Sequence, residues 1–270
     1  MKGYAKKQFT KLMIPYFIYM LIDFAFFDNL HDLNRIFHYL WGGRFINGVY
    51  WYITCFLISS ILFVFLLKHL PSNKVIGISI IGGMAILEAN IVPFVLLLGK
   101  PGFPFGVDVV PLCISYITIG YYGKQLMNEW KKSEQTKTKW TTLGIGVVLV
   151  IELIYAYLNN IGRTLDMKQV IYFNPFYVYI IPIGYGLVLL KMCHYIANMH
   201  RSIDKIFQIL GQMTVPIMYL YEPLNRFLEI SHNNILCYVA VGIGVPILLV
   251  VIAQRHFWGR YLGIYPIQHD

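Results

Sequence analysis

Ionisable side chains inside long apolar stretches are the residues of this chain best placed to do chemistry. A charge at the centre of a bilayer is costly, so a carboxylate there calls for a functional or a structural explanation. Glu88 and Glu152 each lie near the middle of an apolar stretch, where they could bind substrate hydroxyls, relay protons or serve as hydrogen-bonded structural carboxyls. Asp23 lies near the end of the first stretch, on one helical face with Tyr16 and Tyr19. We predict that Asp23 reaches toward the membrane interface.

A second candidate site combines an acid and a base near the C-terminal end of another apolar stretch. Glu222 and Arg226 stand at i and i+4, with the acid first, which is the better orientation for a helical ion pair. Two interpretations stay open. The pair is a local salt bridge, or it lines an outward-facing polar site with Tyr219 one turn earlier.

The polar loop after the first stretch carries imidazole groups. If this loop is helical, His31, Arg35 and His38 share one face, and a histidine there could act as general base for an acceptor hydroxyl. A solvated loop is the alternative. Two histidines seven residues apart make a poor metal site without a third ligand, so the sequence predicts no metal.

Several signatures of soluble enzymes do not occur in the sequence. It contains no GxxxxGK[ST], GxGxxG, HExxH or GxSxG motif. Its four cysteines form no CxxC pair and lie in or beside apolar stretches, which indicates neither a disulfide framework nor a zinc site.

Composition places these residues in a membrane protein. Of the 270 residues, 57% are hydrophobic and 13% charged, about half the charge of a soluble domain. A helix needs about 20 mostly apolar residues to cross a bilayer. The sequence therefore predicts one all-α domain over residues 1–270, with about eight membrane spans. The predicted spans are residues 12–27, 49–67, 75–98, 107–123, 141–158, 172–197, 206–228 and 235–253.

The basic residues fix an orientation for these spans. Sixteen of the 22 lysines and arginines fall in alternate loops and in both termini. Basic residues mark cytoplasmic loops, so both termini are predicted to be cytoplasmic. The net charge of +9 is spread over clusters beside the spans, as expected for attraction to anionic membrane lipid. No nucleic-acid partner is predicted, since that would favour a basic stripe on one folded face.

Three ordered segments carry a family resemblance. They are KKQFTKLMIPY at 6–16, GVYWYI at 48–53, and GQMTV at 211–215 followed by YLYEP at 219–223. A fourth segment, 107–121, begins with Val107-Asp108 and ends in Gly120-Tyr121. Together they resemble the type-3 acyltransferase family, bacterial integral-membrane O-acyltransferases that modify surface polysaccharides. The match in order and spacing extends over nearly the whole chain.

The resemblance implies an activity and a site. It implies transfer of an acetyl or other acyl group from acyl-CoA to a hydroxyl of a cell-envelope polysaccharide or glycolipid, at the bacterial cytoplasmic membrane and without a metal. His38 and Glu222 are the catalytic candidates in this sequence. The predicted substrate-binding residues are Arg44, Trp51, Glu152, Tyr219 and Arg226.

Two departures from the family pattern leave the activity open. No arginine here is followed eleven positions later by a histidine, as in the family's first helix, and Glu222 stands where the family's late histidine would be. We expect a chain that lacks an even number of N-terminal helices, or a degenerate homologue. The rival hypotheses are a flippase or transporter for a glycan-lipid intermediate and a non-catalytic membrane partner of an active enzyme. The sequence leaves the oligomeric state open.

Overall fold

The computed structural model is almost entirely helical in the part of the chain that it describes. The described residues are 2–26, 33–43, 49–88, 103–132, 135–158, 165–168, 171–172, 175–199, 201–229 and 234–254. The first helices are α1 (Lys2–Phe26), α2 (Leu33–Leu40), α3 (Tyr50–His69), α4 (Ser72–Glu88) and α5 (Val110–Lys132). They are followed by α6 (Gln135–Leu158), α7 (Pro175–Met199), α8 (Arg201–Gln212), α9 (Thr214–Phe227) and α10 (Ile235–Gln254). A short 3₁₀ turn, Pro104–Gly106, precedes α5.

Most predicted spans correspond to one helix each. The third and tenth helices differ from the predicted ranges by no more than two residues at either end. By contrast, α1 begins at Lys2, so it includes the basic segment before the apolar stretch. Similarly, α6 begins six residues before its predicted span. Hydropathy locates the apolar part of a helix, whereas the backbone hydrogen bonds continue into its polar ends.

The range predicted as the seventh span, 206–228, is covered by two helices. The eighth helix ends at Gln212 and the ninth begins at Thr214. Pro216 has no N–H to donate to the carbonyl of Gln212, and its ring disfavours a continuous helix at that carbonyl. The Thr214 hydroxyl donates to the carbonyl of Gly211 at 2.9 Å. Pro216 therefore lies in the first turn of a new helix, where proline is well tolerated.

Beside the helices that the all-α prediction calls for, the described residues include a small hairpin. Strand β1 (Leu165–Asp166) pairs antiparallel with strand β2 (Ile171–Tyr172), with Leu165 opposite Tyr172. The sixth span was predicted to begin at Tyr172, but this residue lies in β2 and α7 begins at Pro175. A proline at the first helical position is pre-organised for a helix start, which accounts for the later boundary.

Within the described ranges, three helical stretches are long and apolar enough to cross a membrane. They are Tyr50–His69, Pro104–Lys124 and Ile235–Ile252. Shorter apolar helical stretches run over Ser72–Ile86, Leu143–Glu152 and Val178–Cys193. The tenth helix exposes many large apolar side chains, among them Leu236 at 85%. Apolar exposure of this kind is expected of a helix that faces lipid.

The chain divides into two compact units. The first unit comprises residues 1–61, 104–106 and 205–270, and the second comprises residues 62–103 and 107–204. The first unit has a core of buried residues from α1, α2, α3 and α9, five of which are tyrosines. The prediction of a single domain over residues 1–270 stays a prediction.

Small residues and hydroxyl groups join the helices of the second unit. Gly83 on α4 lies against Tyr179 and Ser115, and the Tyr179 hydroxyl donates to Ser115 Oγ at 2.9 Å. The Tyr116 hydroxyl donates to the backbone carbonyl of Val178. Close approach at glycine, with hydroxyl hydrogen bonds across helices, is the usual packing of membrane helices. These contacts join α4, α5 and α7.

Replacing Gly242 with alanine tests the packing of α10 against α9. A Cβ at Gly242 would lie 2.2 Å from Tyr221 Cδ2 and 2.8 Å from Asn225 Nδ2, whereas one at Gly244 would meet nothing within 4 Å. Gly242→Ala should lower the unfolding free energy by about 1–3 kcal/mol through overpacking. The control Gly244→Ala should be neutral or stabilising, because alanine is the better helix former. Thermal unfolding in detergent measures both variants. Equal midpoints would contradict the packing.

Candidate functional site

A buried carboxylate lies among aromatic rings in the first unit. Asp23 on α1 is only 7% exposed, and the Tyr39 hydroxyl on α2 donates a hydrogen bond of 2.5 Å to its Oδ2. Hydrogen bonds from hydroxyl to carboxylate are short when the acceptor is charged. The prediction that Asp23 reaches to the interface is therefore wrong. Its side chain points into the protein, where the Tyr39 hydroxyl donates to it.

Tyr39 belongs to a buried core that contains five tyrosines, called the tyrosine cluster: Tyr16, Tyr19, Tyr39, Tyr50 and Tyr219. Each is buried, with 1–3% of its surface exposed. The Tyr50 ring lies at the centre, with its centroid 5.4 Å from that of Tyr16, 5.1 Å from Tyr39 and 5.0 Å from Tyr219. Edge-to-face and tilted contacts at these distances are favourable and fix the ring orientations.

The helices bring these rings together through a simple spacing. Tyr16, Tyr19 and Asp23 stand at i, i+3 and i+7 of α1 and thus share one face. Tyr219 of α9 stacks on Tyr19, with the centroids 4.7 Å apart and the planes 12° apart. The Tyr16 hydroxyl donates to the backbone carbonyl of Tyr39 at 2.7 Å, which secures α2 against α1.

A glycine turn holds the start of α3 beside α2. Gly43 has a φ of +71°, and a Cβ added to it would lie 2.2 Å from the Cβ of Tyr50. Only glycine allows both this backbone conformation and this approach. The Thr54 hydroxyl donates to the carbonyls of Gly42 at 3.3 Å and Trp51 at 3.0 Å. The turn therefore sets the position of Tyr50 in the cluster.

Two hydroxyls of the tyrosine cluster are buried without a hydrogen-bond partner among the described residues. They belong to Tyr50 and Tyr219. Leaving a buried hydroxyl unpaired costs about 1–3 kcal/mol, so such groups are rare in native proteins and call for a reason. Together with Asp23, they supply two donors and a carboxylate in one buried place. Hydroxyl donors and a carboxylate are the kinds of group that bind and polarise a hydroxyl or carbonyl group.

The structure brings together only some of the predicted site residues. Tyr219 belongs to the tyrosine cluster. His38 is half-buried on α2, next to Tyr39. Trp51 is half-buried at the start of α3. Its ring lies edge to face with that of Tyr52, with the ring centroids 6.2 Å apart. These three residues belong to the first unit.

Glu222 and Arg226 form the ion pair that their spacing predicts. Arg226 Nη2 lies 3.3 Å from Glu222 Oε1, with side chains 46% and 36% exposed. An exposed pair of this kind contributes only about 0.3–0.5 kcal/mol. The local salt bridge, one of the two open interpretations, is thus the observed arrangement.

The other predicted residues lie elsewhere. Glu152 is half-buried on α6 in the second unit. Arg44 and His31 lie outside the described residues, as do the side chains of Arg35 and Glu88. In the described part of the chain, no three His, Cys, Asp or Glu side chains form a group that could hold a metal ion. All four cysteines are free thiols.

Sequence reasoning missed the contribution of Tyr39 and Tyr50. The shared face of Tyr16, Tyr19 and Asp23 was visible as a helical spacing, but the partner of the carboxylate comes from a short helix in the following loop. The available signal was the high density of tyrosines: the chain has 21. The spacing of residues within one helix cannot reveal which rings of other helices pack against that helix.

Comparison with known proteins gives a family match over most of the chain. A family model described as an acyltransferase domain matches residues 1–255. Neither the curated proteins nor the solved structures gave a match. The matched range includes every residue of the tyrosine cluster.

Replacing Tyr39 with phenylalanine tests the hydrogen bond to Asp23. The variant keeps the ring contact with Tyr50 but removes one donor to a buried carboxylate. We expect the unfolding free energy to fall by about 1–3 kcal/mol, measured by thermal unfolding in detergent. Tyr121→Phe is the matched control, because that ring is 54% exposed. If Tyr39→Phe unfolds like the control, the hydrogen bond does not stabilise the cluster.

Proposed function

Because the chain belongs to the type-3 acyltransferase family, whose model matches residues 1–255, we propose that it is a membrane O-acyltransferase. The proposed donor is acetyl-CoA or another acyl-CoA, and the acceptor is a hydroxyl of a cell-envelope polysaccharide or glycolipid. The acceptor oxygen forms an ester bond with the acyl carbon while the thioester C–S bond breaks. The hydroxyl proton leaves through a base, and the CoA thiolate takes up a proton.

This reaction requires a group that takes a proton and groups that stabilise the oxyanion on the acyl carbonyl. The tyrosine cluster offers both kinds of group. In our proposal the Asp23 carboxylate, held by Tyr39, accepts the proton from the acceptor hydroxyl. The Tyr50 and Tyr219 hydroxyls, which have no partner among the described residues, donate to the developing oxyanion. This pair of unpartnered buried hydroxyls beside a carboxylate is the observation that carries the proposal.

The remaining predicted site residues have subsidiary places in the proposal. Tyr219 keeps its predicted role in binding substrate, now as part of the tyrosine cluster. His38, which directly precedes Tyr39 in α2, stays the alternative base. Roles for Arg44, Trp51, Glu152 and Arg226 in substrate binding stay predictions. Glu222, paired with Arg226 on the surface, is no longer favoured as a catalytic group.

The membrane arrangement is also part of the proposal. We propose about eight spans with both termini in the cytoplasm of a bacterial cell, because sixteen of the 22 basic residues then lie on the cytoplasmic side. A cytoplasmic acyl donor and an acceptor at the cell envelope suit an enzyme that spans the membrane. Anionic membrane lipid is the expected environment of the basic loops.

An acyl-transfer assay tests the activity. Membranes containing the full chain are incubated with labelled acetyl-CoA and an envelope glycan fraction, and label in the glycan is measured. Asp23→Asn should lower the initial rate about 10²-fold or more, because it removes the proposed base. Tyr50→Phe should also lower it, since loss of one oxyanion donor costs about 10²–10³ in rate.

Stability separates a catalytic role of Tyr50 from a structural one. Its hydroxyl has no partner among the described residues, so Tyr50→Phe should keep or raise the thermal midpoint while it lowers the rate. Tyr121→Phe again serves as the exposed control. Full activity of Tyr50→Phe would exclude the oxyanion role. No transfer by folded wild-type protein would instead support a non-catalytic partner or a transporter.

Labelling of single cysteines tests the proposed topology. In a background in which the four native cysteines are replaced, Lys137→Cys should react with a membrane-impermeant maleimide only after the cells are opened. Lys168→Cys should react in intact cells. Lys137 precedes and Lys168 follows the predicted fifth span, so their expected locations are opposite. The same pattern for both sites would contradict the eight-span arrangement.

A further inference from the structure

A long groove runs between α6 and α7 in the second unit. Its volume is about 780 Å³, within the range of pockets that hold small amphiphilic ligands. Its lining is almost wholly apolar and is called the α6–α7 groove: Leu143, Gly146, Val147, Leu149, Val150, Ile151, Tyr185, Val188, Lys191, Met192 and Tyr195. The α6 residues follow a helical face spacing, so the groove extends along both helices.

Two glycines shape the groove. At Gly184 the helices are in close contact, since an added Cβ would lie 3.3 Å from both methyl carbons of Leu149. At Gly146, which lines the groove, an added Cβ would meet nothing within 4 Å. The helices thus meet at one level and leave space at another. An acyl chain of a lipid has the shape and polarity to fill such a space.

Two polar groups stand out in this apolar lining. Lys191 is half-buried and forms no ion pair with any residue in the described ranges. The Tyr185 hydroxyl is buried and has no hydrogen-bond partner there. A charge beside hydrocarbon is costly unless an anion neutralises it. Lys191 lies six residues, about 9 Å of helix rise, beyond Tyr185.

We propose that the α6–α7 groove binds an anionic phospholipid. The phosphate pairs with Lys191, the ester carbonyl accepts a hydrogen bond from Tyr185, and an acyl chain lies along the apolar wall past Gly146. Lys191 and Tyr185 line the same groove, so one lipid molecule can contact both groups. In the proposed topology Lys191 faces the cytoplasmic leaflet, where anionic lipids concentrate. The site does not depend on the proposed reaction.

Lipid retention tests the site. Full-length protein in detergent is mixed with phosphatidylglycerol or phosphatidylcholine, and bound lipid is counted by native mass spectrometry. We expect retention of one phosphatidylglycerol per chain, with at least tenfold weaker retention of phosphatidylcholine. Gly146→Phe should abolish retention by filling the groove. Gly144→Phe is the matched control, because a Cβ there also meets nothing within 4 Å but the residue does not line the groove.

Lys191→Gln separates the charge from the shape of the groove. It leaves the apolar lining intact and should remove the preference for phosphatidylglycerol. It also keeps the test decisive if Gly146→Phe fails to fold. Equal retention by Gly146→Phe and Gly144→Phe would show unspecific annular lipid only and overturn the site. An unchanged preference in Lys191→Gln would overturn the pairing of phosphate with Lys191.

Discussion

The burial of one carboxylate constrains the first unit more than any other single feature. Removing a carboxylate from water costs several kcal/mol unless hydrogen bonds or charges compensate for it. Asp23 therefore requires donors inside the protein, and Tyr39 supplies one at 2.5 Å. That bond ties the short helix α2 to α1, and the backbone carbonyl of the same tyrosine accepts from Tyr16. Once α2 is fixed, the glycine turn after it determines where α3 begins and places Tyr50 among the other rings.

Large aromatic rings dominate the core of the first unit, where α10 also approaches α9 at Gly242, and small residues join the helices of the second unit. In the first unit, large aromatic rings meet edge to face and leave little room for rearrangement. In the second unit, the helices approach at Gly83 and Gly184, and hydroxyls such as that of Tyr179 bridge to their neighbours. Packing at small residues leaves space where the helices diverge, and the α6–α7 groove is such a space. Aromatic packing suits a site that must hold its geometry, whereas small-residue packing accommodates a lipid chain.

Hydropathy and a few motifs were enough to predict the helical class, the family and most helix positions. They could not predict the break at Met213, because a long apolar window averages over the effect of Pro216 on a single hydrogen bond. The β1–β2 hairpin was missed since two-residue strands carry no periodicity. Asp23 was assigned to the interface because its partner, Tyr39, belongs to a different helix. In each case the missing information concerned contacts between elements, which spacing within one element does not contain.

Position in a motif and position in a site are different properties, as α9 illustrates. Glu222 is a catalytic candidate by its place in a sequence motif, yet its carboxylate pairs with Arg226 on an exposed face. Tyr219, three residues earlier, is buried and stacks on Tyr19 inside the tyrosine cluster. Asn225 is buried, and its side chain donates to the carbonyls of Tyr221 in the same helix and Tyr238 in α10, which fixes the rotation of α9 against α10. That fixed rotation keeps Tyr219 in the cluster whatever residue stands at 222. A substitution at 222 therefore changes the exposed side of α9, whereas a substitution at 219 changes the buried cluster.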